Sequence, residues 1–228
     1  MIIRVFFAFI FLSICAFAQK ADKPMSPVTD QEGLPRVLLI GDSISIGYTV
    51  DVRNMLRAKA NVHRPLTNCG PTTKGLAELD QWLATGGAGK KWDVIHFNWG
   101  LHDLKYMGPN GQNLADPKAP TSKPQVSKID YENNLRQLVQ RLKKTKARLI
   151  WRNTTPVPQG AQGRVPGDAK IYNAIAEKIM ASEGVEIHDL YSFAKKNEGK
   201  IQREANVHYT PEGSRMLAAE VVKVLRIP

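Results

Sequence analysis

The chain predicts an α/β fold, with a five-stranded parallel sheet and helices on both faces, and three observations carry that prediction. Short apolar runs recur at 36–40, 61–66, 92–99, 147–151 and 185–188. Segments with apolar residues at helical spacing separate them. The third run, Trp92-Asp93-Val94-Ile95-His96-Phe97-Asn98-Trp99, is nearly continuous rather than alternating, as a strand buried on both faces of a parallel sheet is. Strands alternating with helices in this way build βαβ units.

Two segments precede the first strand. Arg4 supplies a positive start, Val5 to Phe17 is an apolar run too short to span a bilayer comfortably, and Ala16-Phe17-Ala18 is a small-x-small cleavage signal before Gln19. Residues 1–18 therefore predict a secretory signal peptide, and with it a periplasmic or secreted protein that has no stable membrane insertion after cleavage. A lipoprotein needs a small residue before Cys15, where Ile14 stands. Residues 19–34, rich in Pro, Asp, Ser and Lys, predict a flexible lead-in. Residues 35–228 then form one domain, large enough to bury a sizeable core. Cleavage removes Cys15 and leaves Cys69 alone, so no internal disulfide is expected. With no base beside it, Cys69 reads as a small buried hydrophobe.

The first strand, 36–40, ends abruptly in Gly41-Asp42-Ser43, and helical spacing follows through Ile46, Val50, Val52, Met55 and Leu56. Gly41 permits the sharp turn, and Asp42 or Ser43 is a natural N-cap. Ser43 thus falls near a helix start, where backbone N–H groups are free. After the second strand, Asn68-Cys69-Gly70-Pro71 is a loop. Leu76, Leu79 and Leu83 then trace a helix that Gly86-Gly87-Ala88-Gly89 breaks. The third strand ends in Gly100-Leu101-His102-Asp103. Residues 107–128 are a polar loop of a length that is usually functional or mobile. Leu135, Leu138, Val139 and Leu142 place an amphipathic helix over 131–144. The fourth strand runs into Asn153-Thr154-Thr155 and a Gly/Pro-rich loop to Gly167. Asp168 caps a helix through Ile171, Ile175 and Ile179, which Gly184 closes. Beyond the fifth strand, Thr210 at the N-cap and Pro211 at the first helical position start the last helix, which reaches 225.

At 43% hydrophobic and 23% charged residues, the composition is that of a folded soluble protein. The net charge of +11 is large for the size, and loss of Arg4 with the leader takes only one unit from it. In the cytosol such a charge points first to nucleic acid. In an exported protein it suits an acidic polysaccharide or the anionic cell surface, or is simply a well-solvated basic face. The lysines are scattered, and no aromatic residues interleave the densest run, Lys143-Lys144-Thr145-Lys146, as a single-strand binder requires. No nucleic-acid partner is expected. Nor is a metal, because the histidines show neither i, i+4 nor His-x-His pairing. No cofactor is expected either. His96 and His188 fall within strands and read as structural.

Loops that follow successive parallel strands line one edge of the sheet, where open α/β sheets place their ligands. On that edge Ser43 is the candidate nucleophile. A serine nucleophile needs a base within hydrogen-bond reach and N–H donors aimed at the developing oxyanion. His208, just before the last helix, is the candidate base, and Gly70 offers a backbone N–H with no side chain in the way. Gly41-Asp42-Ser43, Gly70, Gly100-x-x-Asp103 and His208, in that order over nearly the whole mature chain, resemble the four blocks of the SGNH (GDSL-type) hydrolases. The resemblance implies a flavodoxin-like α/β/α sandwich and hydrolysis of an ester through an acyl-enzyme on Ser43, with His208 as general base. It implies an oxyanion hole made of the Ser43 and Gly70 N–H groups and a side chain from the third block.

Two positions depart from the family pattern. The third block usually carries Asn where this chain has His102, whose imidazole can still donate an N–H; Asn98 lies farther back along the strand. The acid usually found three residues before the histidine is Ala205 here. Asn206 and Glu204 are the nearby candidates to support the ring, or a backbone carbonyl holds it, with Asp42 and Asp103 as more distant candidates; Asp42 more readily shapes the turn. In the worked protease case, exchanging that acid for Asn lowers the rate by about 10⁴. The expected function is an exported serine esterase, an O-deacetylase whose substrate is an acylated small molecule or polysaccharide, with an anionic one suiting the charge. The alternative is a non-catalytic glycan-binding protein on the same fold.

Overall fold

The computed structural model describes residues 23–228, so the signal peptide expected over 1–18 lies outside the described residues. Strand β1 (Arg36–Ile40) leads through α1 (Ser43–Met55) to β2 (Asn61–His63), and α2 (Thr72–Leu83) returns the chain to β3 (Val94–Phe97). A small antiparallel pair follows, β4 (Tyr106–Met107) with β5 (Lys123–Pro124). Then come α3 (Lys128–Lys143), β6 (Arg148–Arg152), α4 (Asp168–Glu183), β7 (Glu186–His188), the short helices α5 (Leu190–Lys196) and α6 (Glu198–Ile201), and α7 (Pro211–Leu225).

The main sheet has five parallel strands in the order β2-β1-β3-β6-β7. This is the flavodoxin-like sandwich. Helix α1 packs along α7 over one face, and α2, α3 and α4 pack side by side over the other. Residues 37–40 of β1 are buried, as a central strand covered on both faces must be. The chain leaves β1 toward β2 on one side and returns to β3 on the other. The strand order therefore reverses between β1 and β3, and the crevice for a ligand opens beyond their carboxyl ends. Ile40 and Phe97 are partners in register there, which brings the loops after the two strands together.

Three expectations are corrected. The second strand stops at His63 rather than 66, because Pro65 has no N–H to continue the ladder and Arg64 turns into the interior. The long loop after 107 is partly ordered by β4 and β5. Bonds from Gln125 N to Lys105 O (2.7 Å) and Val126 N to Asp103 O (3.0 Å) anchor it to the loop after β3. The segment 23–34, expected to be a flexible lead-in, is docked along the edge strand β2. Asp30 meets Lys90 and His63, both at 2.6 Å, and Arg36 at 3.1 Å. The Asn61 side chain bonds the backbone of Gln31 and Leu34, and Arg53 donates to Lys23 O and Ser26 O. The segment is thus tied to the edge of the sheet through side chains rather than as a further strand.

Candidate active site

The site is built where β1 becomes α1. Asp42 is the N-cap of α1, and its Oδ1 accepts the Ile44 N–H at 3.0 Å. Ser43 is the first helical residue, so its own N–H has no partner within the helix. Beneath this turn lies the fully buried guanidinium of Arg64. Its Nη2 donates to Gly41 O (3.2 Å) and Ser45 Oγ (3.0 Å), and its Nη1 donates to Pro65 O (2.9 Å) and Thr67 O (3.0 Å). One side chain thereby ties the turn that carries Ser43 to the loop that carries Gly70.

His208 reaches Ser43 from the other end of the chain. The Ser43 Oγ to His208 Nε2 distance is 2.8 Å. The pairing follows from the packing of α1 on α7, which is close because Gly47 faces Ser214; a Cβ at Gly47 would lie 3.2 Å from the Ser214 Oγ. The other ring nitrogen is held by Asn206, whose Oδ1 is 2.7 Å from His208 Nδ1 and also accepts the His208 backbone N–H at 3.0 Å. That backbone N–H is a donor and nothing else, so the amide must present its oxygen. The ring then carries its proton on Nδ1, and Nε2 is left as the acceptor for the Ser43 hydroxyl. Ala205, at the family's acid position, is exposed with φ +47°, and the turn it makes brings Asn206 inward instead. Glu204 is exposed and makes no bond to the ring.

Burial pushes the His208 pKa below the usual histidine value. The negative charge of Asp42 opposes that shift, and the positive charges of Arg164 and Arg203 add to it. The imidazole is thus neutral at pH 7 and free to take a proton. In the usual triad one carboxylate supplies both a hydrogen bond and a charge to the histidine. Here Asn206 gives the bond, and Asp42, itself 3.8 Å from Arg152, gives the charge.

In the third block, His102 is half-buried. The charges of Asp42, Lys105, Arg164 and His208 all act on His102, whose pKa burial lowers, and its ring has no hydrogen-bond partner among the described residues. Gly70, at φ +58° where a glycine is favoured, does not present a free donor: its N–H is donated to Asn68 Oδ1 at 3.0 Å. Asp103 does not reach His208 either. It is fully buried at the start of α2, accepting from Thr72 N (2.8 Å) and Thr72 Oγ1 (2.6 Å), and burial raises its pKa to about 7 against those bonds. Asn98 is consumed by the frame: its Nδ2 donates to Arg152 O at 2.7 Å and its Oδ1 accepts from Arg152 Nη2 at 2.6 Å. Cys69 is buried and its thiol is pushed up to about 12 by that burial, so it is no nucleophile. His96 and His188 form a buried pair at 3.1 Å within the sheet. No group of three His, Cys, Asp or Glu side chains among the described residues is placed to hold a metal.

Ser43 and His208 open onto a polar cleft of about 600 Å³, lined also by Gly47, Asp51, Arg203 and Ser214. Sequence reasoning missed Arg64, Asn68 and Arg164. Each is a lone polar residue in a loop, with no spacing to mark it.

A hydroxyl paired with a neutral imidazole at the switch point of an α/β sandwich defines a serine hydrolase. The chain belongs to the GDSL-like lipase/acylhydrolase family, whose model matches residues 39–216, and it is a serine esterase. No curated relative matches it by sequence. Among solved structures it is similar to the acetylxylan esterase Axe2 from Geobacillus stearothermophilus, with a TM-score of 0.66 at 15% identity over 89% of this chain and 98% of that one. It is also similar to a lipase/acylhydrolase from Enterococcus faecalis (TM-score 0.64, 18% identity, 86% and 98% covered). A third likeness is to an acetyl xylan esterase, AlAXEase (0.63, 16%, 83% and 99%). At these identities the likeness establishes the fold.

Proposed function

We propose that the protein is an exported O-acetyl esterase acting on a carbohydrate, through an acyl-enzyme on Ser43 with His208 as general base. The observation that carries this is the 2.8 Å contact between Ser43 Oγ and a His208 ring whose tautomer Asn206 sets. Ser43 Oγ attacks the acetyl carbon while its proton passes to His208 Nε2. The oxyanion forms toward the Ser43 N–H and the His102 ring. Its collapse expels the sugar oxygen, which takes the proton from His208. Water, deprotonated by the same nitrogen, then releases acetate and restores Ser43. The polar cleft suits a hydrophilic substrate, and two of the similar structures are described as acetyl xylan esterases. Export rests on the leader over 1–18, and the exported protein is expected to begin at Gln19 by N-terminal sequencing.

The test is labelling of the purified protein by a fluorophosphonate, together with acetate release from an aryl acetate. Both are expected in the wild type, and both are expected to be lost in Ser43→Ala and His208→Ala. The neutral Asn206 in place of an acid favours the second reading, a glycan-binding protein without turnover. An unlabelled wild type that releases no acetate selects that reading over the esterase.

A further inference from the structure

The cleft beside Ser43 and His208 holds positive charge that the chain does not neutralise. Arg203 lines it, and its Nε donates to Tyr209 O at 3.1 Å, which fixes the guanidinium against the His208 turn. No carboxylate forms an ion pair with it among the described residues. Arg164 is half-buried over the third loop, where its Nε donates to Leu101 O at 3.2 Å, and it too has no ion pair among the described residues. Both charges act on His208. By contrast Arg36, Arg148 and Arg152 face Asp30, Glu186 and Asp42, and Arg215, the other cation in the cleft, is held by Glu212. Asp51 lines the cleft but pairs with neither Arg203 nor Arg164.

Arg203 is exposed and Arg164 half-buried, and a guanidinium with no counter-charge in the chain is left to pair with a bound anion, with the greater gain where it is partly desolvated. The planar fork of arginine also matches a carboxylate with two parallel bonds. We infer that Arg203 and Arg164 recognise carboxylates borne on the substrate, so that the scissile ester sits on an acidic, uronate-containing polysaccharide. This rests on the esterase reading for its chemistry, though not for its binding. A chain of acidic sugars presents successive carboxylates and can engage both arginines while one acylated hydroxyl lies at Ser43. The unpaired charges serve binding and do not perform the proton transfer.

Two measurements test this. The first is calorimetric affinity for de-esterified polygalacturonate oligosaccharides against neutral xylo-oligosaccharides, which needs no turnover. The second is the ratio of kcat/KM for acetylated polygalacturonate over acetylated xylan. The wild type is expected to favour the acidic ligand in both, less so as salt is added. Arg203→Gln and Arg164→Gln are each expected to reduce that preference roughly tenfold, whereas Lys143→Gln, at the opposite edge of the sheet, leaves it in place. If a glutamine variant does not fold, Arg203→Lys or Arg164→Lys keeps the charge, loses the fork, and is expected to retain part of the preference. Equal affinity of the wild type for acidic and neutral ligands overturns the inference, as does a preference that survives both arginine substitutions. Failure to hydrolyse an aryl acetate is a separate result: it ends the esterase reading, while the binding measurement still decides this one.

Discussion

Asn206 uses one oxygen to accept two donors from the same residue, the backbone N–H and the ring Nδ1–H of His208. This orients the base but gives the imidazolium no charge to lean on. Asp42 supplies the charge from the far side, weakened by Arg152. Asn206→Asp is therefore expected to raise the His208 pKa, because a carboxylate at Nδ1 favours the protonated ring. The base must be neutral to act, so the acid limb of the kcat/KM profile moves to higher pH, while the plateau rises by roughly one to two orders of magnitude. An unchanged profile and rate would show that Asn206 has no part in positioning the base. Asn206→Ala removes the bond as well and is expected to lower the rate. Glu204, exposed and without a bond to the ring, matters little by comparison.

At the scale of elements, two junctions hold the nucleophile and base in register. Arg64 joins the turn after β1 to the loop after β2 through four carbonyl and hydroxyl acceptors. Arg64→Ala strands several buried acceptors at once and is expected to cost about 3 kcal/mol or more in urea unfolding. The fall in kcat should exceed any change in KM, because it is the aim of Ser43 that is lost. The second junction is where α7 starts against α6. A Cβ at Gly213 would lie 2.2 Å from the Ile201 carbonyl oxygen. Alanine gains about 1 kcal/mol over glycine within a free helix. Backbone overlap of this kind costs about 1–3 kcal/mol or more, so Gly213→Ala is expected to lower the melting temperature. A higher melting temperature would show that α7 moves aside freely, and that its start does not hold His208 in place.

For the whole molecule, buried titratable groups set the response to pH. His188 is buried against His96 and near Arg152; burial first, then that charge, lowers its pKa to about 4. Its unfolded value is about 6.5. Above 6.5 neither state binds the proton and the folded form bears no penalty. As pH falls from 6.5 toward 4 the unfolded chain takes a proton that the folded chain refuses, and stability drops by up to about 3 kcal/mol. Asp30 behaves oppositely within its own range. Burial would raise its pKa, but the bonds from Lys90 and His63 and the Arg36 charge bring it to about 2. The stability it contributes is full above its unfolded value of 3.8 and is lost only as pH falls through about 2. Acid sensitivity between 6.5 and 4 therefore comes from the histidines, and Asp103, whose burial raises its pKa to about 7, opposes it because the folded chain takes up that proton first. Urea unfolding at pH 7, 5.5 and 4.5 is expected to show the fall, and His188→Gln to flatten it; an equal slope in that variant would assign it elsewhere.

The chain alone determined the α/β class, the five strands and the helix starts, because apolar periodicity and capping residues act over a few neighbouring positions. It also placed Ser43 and His208 on one edge, since loops after parallel strands must share that edge. It did not determine what each loop does when they meet. Gly70 looked like an open donor until Asn68, two residues earlier, turned back onto its N–H. Asp103 carried a family block, yet it is spent at the start of α2. Arg64 and Arg164 gave no local sign at all, because an arginine's role depends on which carbonyls and charges lie around a side chain long enough to reach several loops. Only the tertiary structure decided that Asn206, and not a carboxylate, holds the His208 ring. One left-handed residue, Ala205, turns the chain so that the amide faces the ring, and pairing at that range is set by how the turn closes in space.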